Sequence, residues 1–350
     1  MLLVIQSFGA KIAVKDGLFE VSTIENQTYI KREYAVSEVS SIWVQHGCSL
    51  TNAAIVLAMD NDIDFLLLNH FGMPVGRFMP IRPNSIVTIQ RAQLEAAQST
   101  LGFELIQAWV AEKMQNQMNL LHCRSQHHNS KAKYNALILK SISQIKQQKE
   151  HLLAIEAATI QDVAEQLRGI EGFAGRAYFA GLSELLPEKY PFEKRTYQNP
   201  TDAFNSCLNY GYAILYSKVE SALIKAGLNP YAGFLHRDDY QFKSMVYDFV
   251  EPYRIWAEDP IMSVFLHRAL NNSHIQKNEE GKTLLSASGR KLIADAIGVF
   301  LQEKIIYENT QQEVSRERYL LFKAQNLATQ LTQTECKIVT IQEKAMRMAA

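Results

Sequence analysis

Hydrophobic and polar positions follow a strand-like pattern over the first eighty residues and a helical pattern after them. Segments rich in β-branched and aromatic residues predict strands. These segments are residues 2–5, 11–14, 18–21, 28–30, 41–44 and 63–68. The Asp16-Gly17 pair predicts a hairpin turn, and residues 51–59 predict one short helix. Residues 1–80 are therefore predicted to form a small β-rich domain.

Prolines mark the end of this domain. Residues 81–85 are predicted to be a linker, because residues that precede proline avoid the α region. From residue 86 onward the pattern is helical and lacks a βαβ rhythm, which excludes a Rossmann-like domain. The predicted helical stretches are residues 87–119, 131–157, 160–186, 200–226, 242–253, 289–307 and 313–331. The predicted fold class is α+β multidomain, with the β-rich domain followed by a larger all-α domain over residues 86–350.

The composition is that of an ordinary globular protein, with 350 residues, 47% of them hydrophobic and 21% charged. Lys+Arg and Asp+Glu both number 36, so the net charge says nothing about a nucleic-acid partner. Residues 1–76 are acidic, whereas residues 77–150 hold ten basic and four acidic residues. This surplus suits phosphate binding. A solvated helix face with spare lysines explains it equally well.

The cysteines indicate a reducing compartment. Cys48, Cys123, Cys207 and Cys336 are scattered and form no CxxC pair, so reduced thiols are expected. The first residues resemble a strand rather than a signal peptide. No apolar run reaches the roughly 18–20 residues that a membrane span requires. These features predict a soluble, cytoplasmic protein.

Four residues in the helical part carry candidate chemistry: Glu171, His236, Asp248 and Glu251. One imidazole and two or three carboxylates form a mixed nitrogen and oxygen set that suits Mn²⁺ or Mg²⁺. Such a metal activates a hydroxyl and neutralises a phosphate, so that phosphodiesters are cut or joined without a protein nucleophile. For His236 alone, a hydrogen-bonded core or loop histidine is the ordinary alternative.

Helical geometry gives two interpretations of the acidic pair. If residues 242–253 form one helix, its apolar stripe leaves Asp248 and Glu251 side by side on the opposite face. Periodicity alone favours an ordinary solvated face there. Pro252 favours a functional site instead, because it disturbs the helix at the acidic pair.

A second group of candidate ligands lies near the middle of the chain. His122, Cys123, His127 and His128 have spacings that could place two zinc ligands on one helix face. However, no fourth ligand pair follows at finger-like spacing, and the segment is basic. Phosphate contact or simple exposure is therefore the favoured interpretation.

Several short sequence motifs follow one another along the helical part of the chain. They are Glu171-Gly-Phe-Ala-Gly-Arg176, Asn205 through Tyr212, Glu220 through Pro230, Gly233-Phe-Leu-His236 and Asp248-x-x-Glu251-Pro-Tyr-Arg254. In order and spacing they resemble the CRISPR-associated integrase family, whose members are the larger subunit of the spacer-acquisition complex (the first Cas protein). The likeness extends over nearly the whole chain.

The resemblance implies a role for each matched residue. Glu171, His236 and Glu251 match the family's ligands for Mg²⁺ or Mn²⁺, and Asp248 matches its supporting acid. Arg176, Arg195 and Arg254 match basic residues that approach the DNA. Residues 86–350 are thereby expected to be the metal-dependent catalytic domain.

The resemblance also implies a reaction and its partners. A DNA 3′-hydroxyl attacks a phosphodiester at the edge of a CRISPR repeat and inserts spacer DNA. The expected partners are DNA, a second copy of the chain bound through residues 1–80, and the small ferredoxin-like second Cas protein. Two alternatives stay open: a stand-alone metal-dependent nuclease on branched or single-stranded DNA, and a non-catalytic DNA-binding assembly subunit whose acids form a solvated face.

Overall fold

The computed structural model describes residues 1–25, 28–70, 72, 74–80, 86–126, 132–236 and 242–349. The predicted linker 81–85, together with His127 and His128, lies outside these ranges. The chain divides into two compact units. The first unit contains Met1–Pro83 and Ala287–Gln302, and the second contains Asn84–Ser286 and Glu303–Ala350.

The secondary structure consists of strands followed mostly by helices. The strands are β1 (Leu2–Ile5), β2 (Lys11–Lys15), β3 (Leu18–Glu25), β4 (Thr28–Tyr34), β5 (Ser41–Gln45), β6 (Ser49–Leu50), β7 (Asp64–Leu68), β8 (Pro74–Phe78), β9 (Ile275–Lys277), β10 (Thr283–Leu285), β11 (Lys304–Tyr307) and β12 (Gln312–Ser315). The helices are α1 (Asn52–Asp60), α2 (Ile86–Ala96), α3 (Thr100–Gln126), α4 (Ala132–Leu153), α5 (Ala164–Ser183), α6 (Ala203–Lys225), α7 (Ser244–Phe249), α8 (Ile255–Leu266), α9 (Ala287–Gln302) and α10 (Arg316–Ala349). Short 3-10 helices cover Val36–Glu38, Glu251–Tyr253 and Asn272–His274.

The strand-rich unit contains two four-stranded sheets, in the orders β1-β5-β7-β8 and β4-β3-β2-β6. Strands β2 and β3 are joined by Asp16-Gly17, and both residues have positive φ, 51° and 76°. This is the conformation that a two-residue hairpin with the favoured twist requires, so the predicted hairpin is confirmed. Buried residues such as Ile12, Phe19 and Ile42 from both sheets form one apolar core.

The helical unit is organised around α6, which is buried on nearly every side. A helix with buried residues all round belongs in the centre of a domain, with the other helices around it. Asp202 fixes the start of α6, because its side chain accepts a hydrogen bond from the Asn205 backbone N–H at 2.7 Å. Helices α3, α4 and α5 pack on one another in the same unit.

The predicted fold class is confirmed: a strand-rich N-terminal region is followed by a mainly helical region. Some details of the helix assignments are wrong, including the predicted single stretch 87–119, which is divided into α2 and α3. Residues 304–307 and 312–315 form the hairpin β11–β12 instead of continuing the predicted helices 289–307 and 313–331. The lysine-isoleucine-isoleucine-tyrosine run of β11 is β-branched and aromatic, a local signal for a strand.

Helix α9 was expected to belong to the helical domain. It contacts the strand-rich unit instead, where Gln6 Nε2 donates a hydrogen bond to the Ala287 carbonyl at 3.3 Å. No helix within the described ranges is long and apolar enough to cross a membrane. Among the described residues, Cys48, Cys123 and Cys207 are not in disulfide bonds.

Candidate metal centre

The four candidate site residues come from different parts of the helical unit. Glu171 lies in the middle of α5, and His236 lies in the segment between α6 and α7. Asp248 belongs to the last turn of α7, and Glu251 opens the 3-10 helix after it. Lys113 of α3, which the sequence analysis did not include, joins two of them.

The predicted helix over residues 242–253 is wrong in its extent. Helix α7 ends at Phe249, and a separate 3-10 helix covers Glu251–Tyr253. Pro252 accounts for the break, since it lacks the N–H that a continuing α-helix needs. Asp248 and Glu251 are only 1% and 2% exposed. The interpretation of this acidic pair as a solvated face is therefore wrong.

Asp248 organises the loop that carries His236. Its Oδ2 accepts hydrogen bonds from the backbone N–H groups of Phe234, at 2.5 Å, and Leu235, at 2.9 Å. Its Oδ1 lies 2.6 Å from His236 Nδ1 and also accepts the His236 backbone N–H at 3.2 Å. With Nδ1 donating to Asp248, the neutral form of the imidazole carries its lone pair on Nε2. A carboxylate in this position orients a metal-binding histidine from behind.

The close approach of the loop to α7 requires glycine at position 233. A Cβ atom there would lie 2.7 Å from Ser244 Cβ and 2.8 Å from Asp248 Oδ2. The Gly233 backbone N–H also donates a 3.0 Å hydrogen bond to Ser244 Oγ. Gly233 thus allows Asp248 to reach the backbone of the following residues.

The electrostatic surroundings of His236 favour its charged form. Burial on its own lowers the pKa of the imidazole, but the hydrogen bond and charge of Asp248 outweigh burial and raise the pKa. Glu251 and Glu171 raise the pKa further. The two glutamates are thus close enough to His236 for their charges to act on it.

Glu171 and Glu251 converge on one cation, the ammonium group of Lys113. Lys113 Nζ lies 2.5 Å from Glu171 Oε1 and 2.5 Å from Glu251 Oε2. The other oxygen of Glu251 accepts hydrogen bonds from Arg254, with Nε at 2.8 Å and Nη2 at 2.7 Å. Arg254 Nη1 also donates to the Tyr216 hydroxyl at 2.9 Å.

These cations keep Glu251 ionised although it is buried. Burial alone raises the pKa of this carboxyl, but Arg254 and Lys113 outweigh burial and hold the pKa at about 2. Burial alone also lowers the pKa of Lys113, and Glu171 and Glu251 more than reverse this and raise it. The Glu251 carboxylate and the Lys113 ammonium group are therefore both charged near neutral pH.

A cavity of about 470 Å³ opens beside this network and is lined by both acidic and basic side chains. Lys113, Gln117, Glu171 and the three predicted DNA-contacting arginines, Arg176, Arg195 and Arg254, are among its lining residues. Glu258 lies at the same cavity, is fully buried and accepts hydrogen bonds from the hydroxyls of Tyr178 and Tyr212. A basic and aromatic lining of this kind suits a phosphate with an attached nucleoside.

The arginines differ in how they are held. Arg254 points to Glu251, whereas Arg195 lies over the Tyr197 ring, with Cζ 4.3 Å from the centroid. Asn205 fixes Arg195, since its Oδ1 accepts from Arg195 Nη1 at 3.0 Å and from the Thr196 N–H at 2.9 Å. Arg176 rests against the Phe173 ring at 5.8 Å.

By residue type, the predicted donor set is of the kind that divalent metals accept, and Lys113 lies between its two glutamates. Two carboxylates that share one cation, and an imidazole whose Nδ1 is held by Asp248, are oxygen and nitrogen donors of the kind that Mn²⁺ and Mg²⁺ accept. Within the described residues, no group of three or more His, Cys, Asp or Glu side chains is arranged so that it could hold a metal ion. Lys113 lies where the two glutamates meet.

The alternative zinc cluster gains no support from the part of the chain that can be described. His122 and Cys123 are exposed, and His122 Nε2 lies 2.9 Å from Gln126 Nε2. Two basic residues of the 77–150 surplus are also engaged internally, Lys113 as above and Arg124 with Asp259. Those two contribute less to a free basic surface than the count of charges suggests.

Comparisons with known proteins agree with one another. The model of the family "CRISPR associated protein Cas1" matches residues 3–298. A CRISPR-associated endonuclease Cas1 of Saccharolobus solfataricus is 30% identical, over 88% of this chain and 87% of that protein. Another, of Archaeoglobus fulgidus, is 28% identical, over 85% of this chain and 87% of that protein.

Solved structures share the fold. A casposase bound to its integration product has a TM-score of 0.76 at 20% identity and covers 95% of this chain and 91% of its own. A Cas1 protein from Thermotoga maritima has a TM-score of 0.73 at 19% identity and covers 95% of this chain and 96% of its own. At these identities the likeness is evidence for the fold alone.

Proposed function

The chain belongs to the Cas1 family of CRISPR-associated proteins, and we propose from this that it is a metal-dependent DNA endonuclease and integrase that inserts spacer DNA into a CRISPR array. The observation that carries the proposal is the convergence of Glu171 and Glu251 on one cation beside the His236–Asp248 pair. The relatives described above are named endonucleases, which supports phosphodiester chemistry.

Each side chain has a part in this chemistry. Glu171, His236 and Glu251 would hold a Mg²⁺ or Mn²⁺ ion, which supplies activation of a hydroxyl and neutralisation of charge at the scissile phosphate. Asp248 keeps the imidazole in the tautomer that leaves Nε2 free. Arg176 and Arg195 line the cavity, where they would contact DNA phosphates.

The reaction needs no protein nucleophile. The 3′-hydroxyl oxygen of the incoming DNA forms a bond to the phosphorus of the target strand, and the bond from that phosphorus to the target's own 3′-oxygen breaks. The hydroxyl proton ends on the departing oxygen. One phosphodiester replaces another, so no energy source is consumed. If water attacks in place of the 3′-hydroxyl, the same site acts as a nuclease.

We extend the proposal to the partners and the compartment. The strand-rich unit offers an edge strand, β4, on which Tyr29 is 72% exposed, and Phe8, in the turn between β1 and β2, is 86% exposed. Such edges and apolar side chains suit pairing with a second copy of the chain. A structural neighbour, titled "Cas6-RT-Cas1--Cas2 complex", is an assembly with Cas2, which supports Cas2 as the second partner. We propose that this partner is the small ferredoxin-like protein. The proposed place of action is the cytoplasm.

Light scattering on the purified chain tests the self-association. A mass near twice 39.8 kDa supports a homodimer. A monomer at micromolar concentration contradicts it. Replacement of Tyr29 and Phe8 by Ser should shift the equilibrium toward monomer.

A strand-joining assay tests the reaction. Short duplexes that end in either a 3′-hydroxyl or a 3′-dideoxynucleotide are incubated with Mn²⁺, the small partner and a repeat-bearing plasmid. The proposal predicts joined product from the hydroxyl end only, and its loss in Glu171→Gln. Glu165→Gln is the matched control, because Glu165 lies on the same helix, is exposed and forms an ion pair with Arg168. Cleavage without joining favours the stand-alone nuclease. The absence of both cleavage and joining contradicts the proposal.

A further inference from the structure

Lys113 has an unusual place for a lysine. It projects from α3, is 7% exposed, and touches both glutamates of the candidate metal centre at the same distance, 2.5 Å. Lysine is rarely buried to this extent unless it is paired. Here the pairing joins two residues that lie 80 positions apart in the sequence, Glu171 and Glu251.

We infer that Lys113 is an internal counter-cation that fills the metal position between Glu171 and Glu251, and that it leaves both carboxylates when the divalent metal binds. This inference rests on the metal site proposed above. Divalent metals bind carboxylate oxygens at about 2.0–2.2 Å. The ammonium group lies in contact with the same oxygens, so the two cations exclude each other by size and by charge.

The metal-free protein needs such a cation. The Glu251 side chain is only 3% exposed, and Arg254 neutralises it from one side alone. Without Lys113, Glu171 and Glu251 would face each other as like charges with little water to screen them. Lys113 therefore stabilises the metal-free fold and, for the same reason, competes with the metal.

A place for the displaced ammonium group is present on the same helix. Gln117 lies one turn after Lys113, a spacing that brings the two side chains together on one face. Gln117 is 2% exposed and lines the same cavity. Its Oε1 is buried without a hydrogen-bond partner among the described residues. This oxygen can accept a hydrogen bond from Lys113 once the glutamates hold the metal.

The test compares the wild type with Lys113→Met, which keeps an unbranched side chain one atom shorter and removes its charge. Melting temperatures of the full chain are measured without metal and with saturating Mn²⁺, and the Kd for Mn²⁺ is measured by calorimetry. The inference predicts a lower melting temperature without metal, a larger rise on adding Mn²⁺, and roughly tenfold tighter Mn²⁺ binding.

Lys218→Met is the matched control. Lys218 is also buried and ion-paired, 2.6 Å from Glu317, but it does not touch Glu171 or Glu251. It should lower the melting temperature and leave both the Mn²⁺-induced rise and the Kd as in the wild type. Lys113→Met that folds only in the presence of Mn²⁺ supports the inference as well.

The contradicting results are distinct. An equal or smaller Mn²⁺-induced rise in Lys113→Met, or weaker Mn²⁺ binding than in the wild type, overturns the role of Lys113. A Lys113→Met chain that stays unfolded even with Mn²⁺ also overturns it, because the metal then fails to replace the ammonium group. The absence of any Mn²⁺ effect in the wild type removes the proposed metal site itself, and the inference with it.

Discussion

The strand-rich unit and the helical unit differ in where they place charge. In the strand-rich unit the pairs Lys15–Glu33 and Lys31–Glu20 each have an exposed lysine. Among its described residues, the buried polar side chains are those of Ser41 and of Asp64, which lies near Arg77. The helical unit instead buries a set of ionisable side chains at or near one cavity. Its members are Lys113, Asp248, Glu251, Arg254 and Glu258.

This difference in the placement of charge distinguishes side chains that serve folding from side chains that serve function. Exposed ion pairs contribute little to stability, so the strand-rich unit depends on its apolar core. Buried ions are costly, and an apolar replacement is often as stable. Such a set of buried ionisable side chains is therefore better explained by chemistry at the cavity than by stability.

Removal of one buried carboxylate should give the largest difference between the two units. Glu251→Gln leaves Lys113 and Arg254 without their shared anion, and the free energy of unfolding should fall by about 3–5 kcal/mol. Metal-dependent strand joining should disappear as well. Glu33→Gln, on an exposed pair of the strand-rich unit, should leave the denaturation midpoint unchanged. Equal midpoints for the two variants in urea denaturation contradict the distinction.

Asp248 should matter through His236 rather than by holding the metal itself. Asp248→Ala should weaken Mn²⁺ affinity and strand joining by roughly 10–100-fold, the range for residues that orient a ligand. Asp295→Ala, which removes an exposed acid paired with Lys291, is the control and should have no effect. Full activity of Asp248→Ala in metal titrations rules out the orienting role.

Asn205 should affect the DNA side of the cavity and not the metal side. Its side chain holds Arg195 and the backbone around Thr196, so Asn205→Ala should cost about 1–3 kcal/mol of stability. DNA affinity should fall while the Kd for Mn²⁺ stays unchanged. Asn209→Ala is the control, since it lies one turn later on α6 and makes a single hydrogen bond to the Tyr197 carbonyl. A change in Mn²⁺ affinity contradicts this division.

The smallest effect concerns the arginines at the cavity. On duplex DNA the logarithm of affinity should fall with the logarithm of salt by about 0.9 per phosphate neutralised. Arg176→Ala and Arg195→Ala should each reduce this slope by about one. Fluorescence anisotropy across a salt series measures it. A slope unchanged in both variants removes these residues from the DNA contact.

Local signals in the sequence predicted much of the fold. The Asp16-Gly17 turn and the alternating strands around it needed only their own neighbours, and all were confirmed. Lys113 could not be found this way, because its partners Glu171 and Glu251 are distant in the chain and its own helix carries no unusual pattern. The burial of Asp248 was missed for a related reason. The Asp248 carboxylate bonds to the backbone of the loop at Phe234. Helical periodicity within α7 gives no information about such a contact.

Pulsed EPR of Mn²⁺ added to the purified chain tests the central claim most directly. We expect one tightly bound ion per chain, with a coupling to an imidazole nitrogen that is lost in His236→Ala. The coupling should persist in His151→Ala, which removes an exposed histidine at the end of α4. A nitrogen coupling that survives in His236→Ala, or Mn²⁺ binding that survives the combined loss of Glu171 and Glu251, would contradict a metal centre at these residues.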